Sequence, residues 1–464
     1  MSAGRRAARL ALTFLLGSAT SKILVLALLP LYTRVLSPDQ YGFYDLSVTY
    51  VTIIASILFL DVWIGTMRFM YRDSSDDGRG RAVKTGLLIL ISSTLIFCGI
   101  GLVVGAIVAI PFLPLIITYG VTSNVKEFYG FVARGYNRNF SYSASGAVNT
   151  ILMVALNLLF LLVLDWDLSA IYVAAIVGNV SQILWLEVAT GTATRHWRAK
   201  VGWIDVKEML RFTLPLGVNS VAYWLLSGVG KLVVQDQMTL ADNGFYGIGS
   251  RFGALVVVIA SVFTMVWQDL SFSRGTQAPA SFYGRAASFY FAFIGFGMAI
   301  LIPLIGIAFP ALVGDSFAPV FELLPAFLLV AALGAFSTFL GNTFYALNHT
   351  APVLYTTLVG SAVTVGLSFP FVFNWGITGA NLAAALGFLV IIVSRTFLLG
   401  RITEFAYRVR DILASILAAA CGTVVYFVDV PAVTIIFLVA ALGAFVLLFQ
   451  SDLREMFRRP AQTS

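Results

Sequence analysis

Nine charged side chains lie within or beside long apolar runs: the cations Lys22, Arg34, Arg68, Lys231 and Arg251, and the carboxylates Asp45, Asp61, Asp236 and Asp269. An ionisable group at membrane depth is expensive, and it marks a binding site, an ion path or a compensating pair. The two signs serve different chemistry. Ammonium and guanidinium groups attract anions, and guanidinium can grip a phosphate edge with paired N–H donors. Burial raises the pKa of a carboxylate and a neighbouring cation lowers it, so such a group can exchange a proton as its surroundings change. Sodium is the other coupling ion such carboxylates could serve. Catalysis has no comparable set: no phosphate-binding loop, zinc-binding helix, nucleophile elbow or dinucleotide fingerprint is present. His196 and His349 are isolated and read as surface or capping residues. Asp165-Trp166-Asp167 reads as an interfacial turn, and Cys98 and Cys421 fall in separate apolar runs, with neither a disulfide framework nor a metal site implied. A non-enzyme without cofactors is expected.

The elements that must position these charges are membrane helices. A mean hydropathy of +0.92, with 59% hydrophobic and 11% charged residues, excludes a soluble domain with a polar surface. A crossing needs roughly 20 apolar residues, and the chain offers about fourteen such runs. Lys and Arg collect in alternate connections: Arg5, Arg6 and Arg9; Arg72, Arg79, Arg81 and Lys84; Lys126, Arg134 and Arg138; Arg195, Arg198, Lys200, Lys207 and Arg211; Arg274 and Arg285; Arg401, Arg408 and Arg410; and Arg454, Arg458 and Arg459. The opposite connections hold one clear cation, Arg34. By the positive-inside rule both termini are cytoplasmic and the number of spans is even. The net charge of +7 belongs mostly to these loops, where it meets anionic membrane lipids rather than nucleic acid. The first apolar run, from about Leu10 to Leu36, reads as a retained helix rather than a cleaved signal. The longest polar stretches, about Tyr71 to Lys84 and Arg195 to Arg211, are both cytoplasmic.

A repeat gives the organisation. Leu36-Ser37-Pro38-Asp39-Gln40-Tyr41-Gly42-Phe43-Tyr44 recurs about 200 positions later as Met238-Thr239-Leu240-Ala241-Asp242-Asn243-Gly244-Phe245-Tyr246. Both copies link the first two helices of a six-helix set, so the sets are expected to be parallel repeats, residues 1–204 and 205–405, followed by two further helices and a tail over residues 406–464.

Leu28-Leu29-Pro30-Leu31-Tyr32-Thr33-Arg34-Val35-Leu36-Ser37-Pro38-Asp39-Gln40-Tyr41-Gly42 resembles the opening signature of the bacterial polysaccharide-biosynthesis flippases, the Wzx-type oligosaccharide transporters. Phe212-Thr213-Leu214-Pro215-Leu216 through Gly244-Phe245-Tyr246 is similar to the start of that family's second half. That family lies within the superfamily of multidrug and toxin extruders and the lipid II flippase. The resemblance implies an all-α integral membrane protein with two six-helix bundles around a central cavity, set in the bacterial cytoplasmic membrane. It further implies alternating-access movement of a polyprenyl-diphosphate-linked oligosaccharide from the inner to the outer leaflet. A multidrug exporter of the same fold is the alternative, and a polytopic glycosyltransferase or polymerase a more distant one.

A diphosphate cannot cross hydrocarbon without cations and water along its route, which turns attention to the five cations. Lys22 lies roughly 18 Å along helix one, near the bilayer midplane. Arg251 is deep in helix eight; Lys231, nearer the outer end of helix seven, reads equally as a snorkelling residue, and Arg34, at the outer mouth, reads equally as a gate residue or an anchor of the helix end. On helix two, Asp61, Gly65 and Arg68 share one face, linked through a neighbour or water, whereas Asp45, Thr49, Thr52 and Ser56 form a stripe about half a turn away. A straight helix cannot aim both at one cavity, and the Asp45 stripe is the expected lining. Arg395, six positions before Arg401, reads as a snorkelling residue. Asp236 is repeat-equivalent to Arg34, and an ion pair between them would close the outer mouth. Helix one contains no carboxylate, a departure from many of the related extruders. Pro30 and Pro215 fall in the helices that open the two sets, where a missing donor permits bending.

Overall fold

The computed structural model describes residues 28–274, 280–347, 349–428 and 430–457; Lys22 lies outside them, as does the side chain of Asp269, whose backbone is helical. Among the described residues every regular element is helical. They are α1 (Leu29–Val35), α2 (Pro38–Phe59), α3 (Val62–Arg72), α4 (Asp76–Ile107), α5 (Leu113–Gly135), α6 (Asn139–Leu158), α7 (Ser169–Thr190), α8 (Trp203–Gln237), α9 (Leu240–Arg274), α10 (Ala280–Leu312), α11 (Val320–Ala346), α12 (Ala351–Ile402), α13 (Val409–Val428) and α14 (Pro431–Phe457). Eleven are long and apolar enough to cross a membrane.

The helix list departs from the sequence reading in two places. The expected second span is two helices, because Leu60 and Asp61 both adopt left-handed backbone angles, with φ of 48° and 52°, between α2 and α3. Neither is glycine, and left-handed conformation costs an L-residue roughly 1–2 kcal/mol. Conversely, α12 holds two expected spans in one element. Gly376, at φ 56° and ψ −135°, breaks it, and a side chain at Gly379 would overlap the carbonyl oxygen of Phe371.

The repeated segment is a helix start used twice. Ser37 Oγ accepts from the Gln40 amide at 3.2 Å while Gln40 Oε1 accepts from the Ser37 amide at 3.0 Å. At the equivalent positions Thr239 Oγ1 accepts from the Asp242 amide at 3.2 Å and Asp242 Oδ2 from the Thr239 amide at 3.0 Å. Both are capping boxes, one built with a long amide and one with a short carboxylate. The aromatic that follows is reused as well. Phe43 meets Phe112 edge-on at 6.4 Å, and Phe245 meets Phe317 edge-on at 6.0 Å.

The chain divides into two compact units, the first ending at Gly228 and the second beginning at Val229, so the division falls inside α8. In the first unit Phe59, Val62, Met70, Val83, Phe128, Val132, Leu186 and Met209 form an apolar core between α2, α3, α4, α5, α7 and α8. A polar seam joins three of its helices: Asn149 on α6 donates to Gln182 on α7 at 2.8 Å, and Asn179 on α7 donates to Ser123 on α5 at 3.0 Å. Buried amides paired in this way fix the relative rotation of the helices, since a turn of any one would orphan its partners. In the second unit α13 lies along α10, with Gly295 against Ser415 and Gly422 against Ala299. Small residues at such crossings let membrane helices approach closely.

Candidate functional site

Two of the sequence-selected residues of the first unit, Asp61 and Arg68, lie at and just beyond the break between α2 and α3. The break is shaped by α8. A Cβ on Gly217 would come within 2.7 Å of Leu60 Cδ2 and 3.1 Å of its Cα, so only glycine lets α8 press against the left-handed pair. One turn further on, Ser220 donates its hydroxyl hydrogen to Asp61 Oδ2, and the Asp61 carboxyl is half-buried there. Asp61 precedes α3 without capping it through its side chain; its backbone carbonyl instead accepts from the Ile64 amide at 2.9 Å.

Arg68 follows on α3 with its guanidinium carbon 3.9 Å from the centre of the Phe212 ring on α8. A cation placed over an aromatic face gains electrostatic attraction while its N–H edges remain available. Arg68 is exposed, and among the described residues it makes no ion pair. Arg72, one turn later, is committed: it packs 4.3 Å over Phe69 and forms a two-point ion pair with Glu208 of α8. Phe69 and Phe212 meet edge-on at 6.3 Å, so the two arginines stand on a shared aromatic pair. Asp61 and Arg68 are each held by α8, one through Ser220 and the other through Phe212.

The Asp45 stripe divides between buried and exposed positions. Asp45 is 5% exposed and Thr49 is buried, whereas Thr52 is exposed and Ser56 half-buried. The three hydroxyls donate to carbonyls one turn back on their own helix. Because the helix is broken, the half-turn separation calculated for a continuous span no longer relates this stripe to Arg68. Arg34 is exposed near the end of α1.

In the second unit Lys231 is half-buried, its ammonium 5.8 Å from the centre of the Tyr246 ring. The side-chain amides of Asn243 and Gln235 pair beside it at 2.9 Å. Arg251 is half-buried on α9, and Asp236 is exposed near the end of α8. Arg395 overturns its reading as a snorkelling residue. It is 4% exposed, with Nε donating to Thr356 Oγ1, Nη1 to the Ser337 carbonyl, and Nη2 to the Val353 carbonyl and Thr357 Oγ1. The guanidinium is anchored between α11 and the first limb of α12 instead of being turned outward. A sequence signal was available: Thr357, Ser361, Thr364 and Ser368 set a stripe of small hydroxyls along the limb that faces Arg395.

His196 also departs from its expected surface role. It is 7% exposed, stacks on Tyr136 with ring centres 5.6 Å apart, and its Nε2 lies 2.8 Å from the Tyr136 hydroxyl. Burial, and then the Arg195 charge, hold its pKa below the ordinary histidine value, while burial pushes Tyr136 up. Nearby, Lys84 donates to the Ala199 carbonyl at 2.7 Å, so the connection between α7 and α8 is strapped to the start of α4. Asp165-Trp166-Asp167 is a turn, with Trp166 stacked on Phe160 at 4.5 Å and Asp167 accepting from the Ser169 amide.

Neither a family model nor a curated protein sequence matches this chain. Solved structures do. The lipid II flippase MurJ in an inward closed conformation matches with a TM-score of 0.72 at 13% identity, covering 94% of this chain and 98% of that one. An inward-facing multidrug resistance MATE family transporter of the MOP superfamily matches at 0.64 and 14% identity, over 87% of this chain and 95% of that one. A MOP superfamily transporter from Pyrococcus furiosus, described as having a binding pocket of reverse polarity, matches at 0.55 and 13% identity, over 90% and 96%. The chain therefore has the MATE-like fold.

Proposed function

We propose that this protein is a flippase that moves a polyprenyl-diphosphate-linked oligosaccharide across the bacterial cytoplasmic membrane by alternating access. The observation that carries the reading is Arg68: an exposed guanidinium braced on Phe212, next to an arginine already committed to Glu208. Paired N–H donors suit a diphosphate and do nothing for the cationic drugs of an exporter. Arg68 in the first unit and Lys231 and Arg251 in the second are the cations assigned to the anionic cargo, with Lys22 and Arg34 beside them. Asp45, Asp61, Asp236 and Asp269 are assigned to gating or to coupling with a proton or sodium. Both termini face the cytoplasm, and the pair Arg34 and Asp236 closes the outer mouth. The repeats of residues 1–204 and 205–405 carry the transport cycle.

Deleting the gene and profiling polyprenyl-linked intermediates by mass spectrometry tests the reading. A completed diphosphate-linked oligosaccharide should accumulate while surface polysaccharide falls. The intact gene should reverse this, and Arg68→Ala should restore less than about a tenth of the flux, as loss of a charge-assisted phosphate contact of about 1.5–3 kcal/mol requires. An unchanged lipid pool with altered resistance to cationic drugs would instead identify an exporter, which the likeness to the multidrug transporter makes the competing reading.

A further inference from the structure

We propose that the Asp61–Ser220 hydrogen bond is a latch that holds the break between α2 and α3, and that Leu60–Asp61 is the hinge about which α3 carries Arg68. Asp61 and Ser220 are then positioning residues, acting through Arg68 rather than on cargo. The second half of this inference, that cargo is what Arg68 meets, rests on the flippase reading; the hinge does not.

Three observations converge. First, two successive non-glycine residues adopt left-handed backbone, a conformation that persists only where surrounding contacts impose it. Second, α8 contacts both residues of the pair, while Ser93 of α4 donates to the Leu58 carbonyl just before them at 2.8 Å. Gly217 of α8 closes on Leu60, and Ser220, one turn along, ties down Asp61. Third, the segment beyond the hinge is short and bears its cation on the same partner: α3 spans Val62–Arg72, and Arg68 rests on Phe212 of α8.

The broken arrangement has a natural alternative. Residues 38–72 carry no glycine or proline at positions 60 and 61, and nothing in their local preferences opposes one continuous helix. Relaxing the left-handed pair into right-handed helix would rotate Arg68 to the side opposite the Asp45 stripe, the half-turn relation of an unbroken span. The two backbone states therefore present the guanidinium in two directions, and Ser220 chooses between them. A hydroxyl on a neighbouring helix suits this task, because its hydrogen bond adds to the packing of Gly217 on Leu60 while intact and is lost when α8 shifts.

Distance measurements without cargo test the latch. Spin labels at Tyr50→Cys on α2 and Ser74→Cys just beyond α3, with Cys98→Ser and Cys421→Ser, report the hinge by double electron–electron resonance in lipid nanodiscs. A continuous helix separates the labelled positions by about 36 Å. The unlatched variant Ser220→Ala should raise the population near that separation at least threefold. Leu60→Gly, which accepts left-handed backbone freely, should lower it and should restore the broken distribution in the Ser220→Ala background. Distributions for Ser220→Ala and Leu60→Gly that superimpose on the unmutated chain would overturn the hinge, whatever the protein transports. A responsive hinge in a protein whose deletion leaves lipid intermediates unchanged would leave the latch standing and remove only the flippase reading.

Discussion

At the scale of single residues, the most consequential side chain outside the transport reading is Arg395. A guanidinium enclosed among α11 and α12 satisfies Thr356, Thr357, Ser337 and Val353 at once, so replacing it removes several bonds and strands the oxygens that accepted them. Arg395→Leu should lower stability by about 2–3 kcal/mol, read as a fall in melting temperature in detergent. Arg395→Lys should recover only part of it, because an ammonium cannot reproduce the planar fork. His196 supplies the pH dependence. Its folded pKa lies below its ordinary value, near 6.5, so the unfolded chain binds the proton more readily. The stability contributed by neutral His196 is therefore fully present above that value and is lost as pH falls below it. The melting-temperature advantage of the native chain over His196→Gln should shrink between pH 7.5 and 5.5; a constant difference would exclude the linkage. Asp76 and Glu187 favour the protonated ring while Arg195 opposes it, so the groups that face His196 limit the effect.

At the scale of elements, the capping boxes offer the sharpest test of the repeat. Ser37→Ala and Thr239→Ala should each cost about 1 kcal/mol, and similarly, because the two caps do the same job at equivalent sites. Unequal losses would mean that one helix start is held by packing instead. Gly376→Ala should be worse, of order 1–3 kcal/mol, since its backbone angles lie where side chains are strained. The elements also show what local sequence can reveal. The repeat was legible as a recurring segment, and its caps left a signal as well, because a helix start needs particular residue types three apart. The membrane spans were legible because hydropathy depends on length and composition alone. The break at Leu60–Asp61 left only a faint trace: Asp61 tolerates left-handed backbone but Leu60 does not favour it, and contacts that hold the pair come from about 160 positions away, in Gly217 and Ser220 of α8. Arg395 failed in the same way, its burial set by a hydroxyl face on another limb and not by its distance from Arg401. Among the site residues, type could be read from sequence, whereas partners could not. Arg68 and Arg72 look alike on one helix, and only α8 separates a committed arginine from an available one.

At the scale of the whole molecule, a shared fold with MurJ and a multidrug transporter settles architecture and leaves cargo to be measured. Orientation can be measured independently. Asp167→Cys should react with a membrane-impermeant maleimide added to intact cells, and Ser74→Cys should react only after the membrane is opened; the reverse pattern would invert the charge-based topology. The tight corner in α12 carries a consequence for how the chain is made. With Gly376 and Gly379 joining its limbs directly, the two limbs form one hairpin with no intervening loop. Thr356 and Thr357, two of the partners of Arg395, therefore come with it on the same hairpin, and the charge is made together with part of its own solvation.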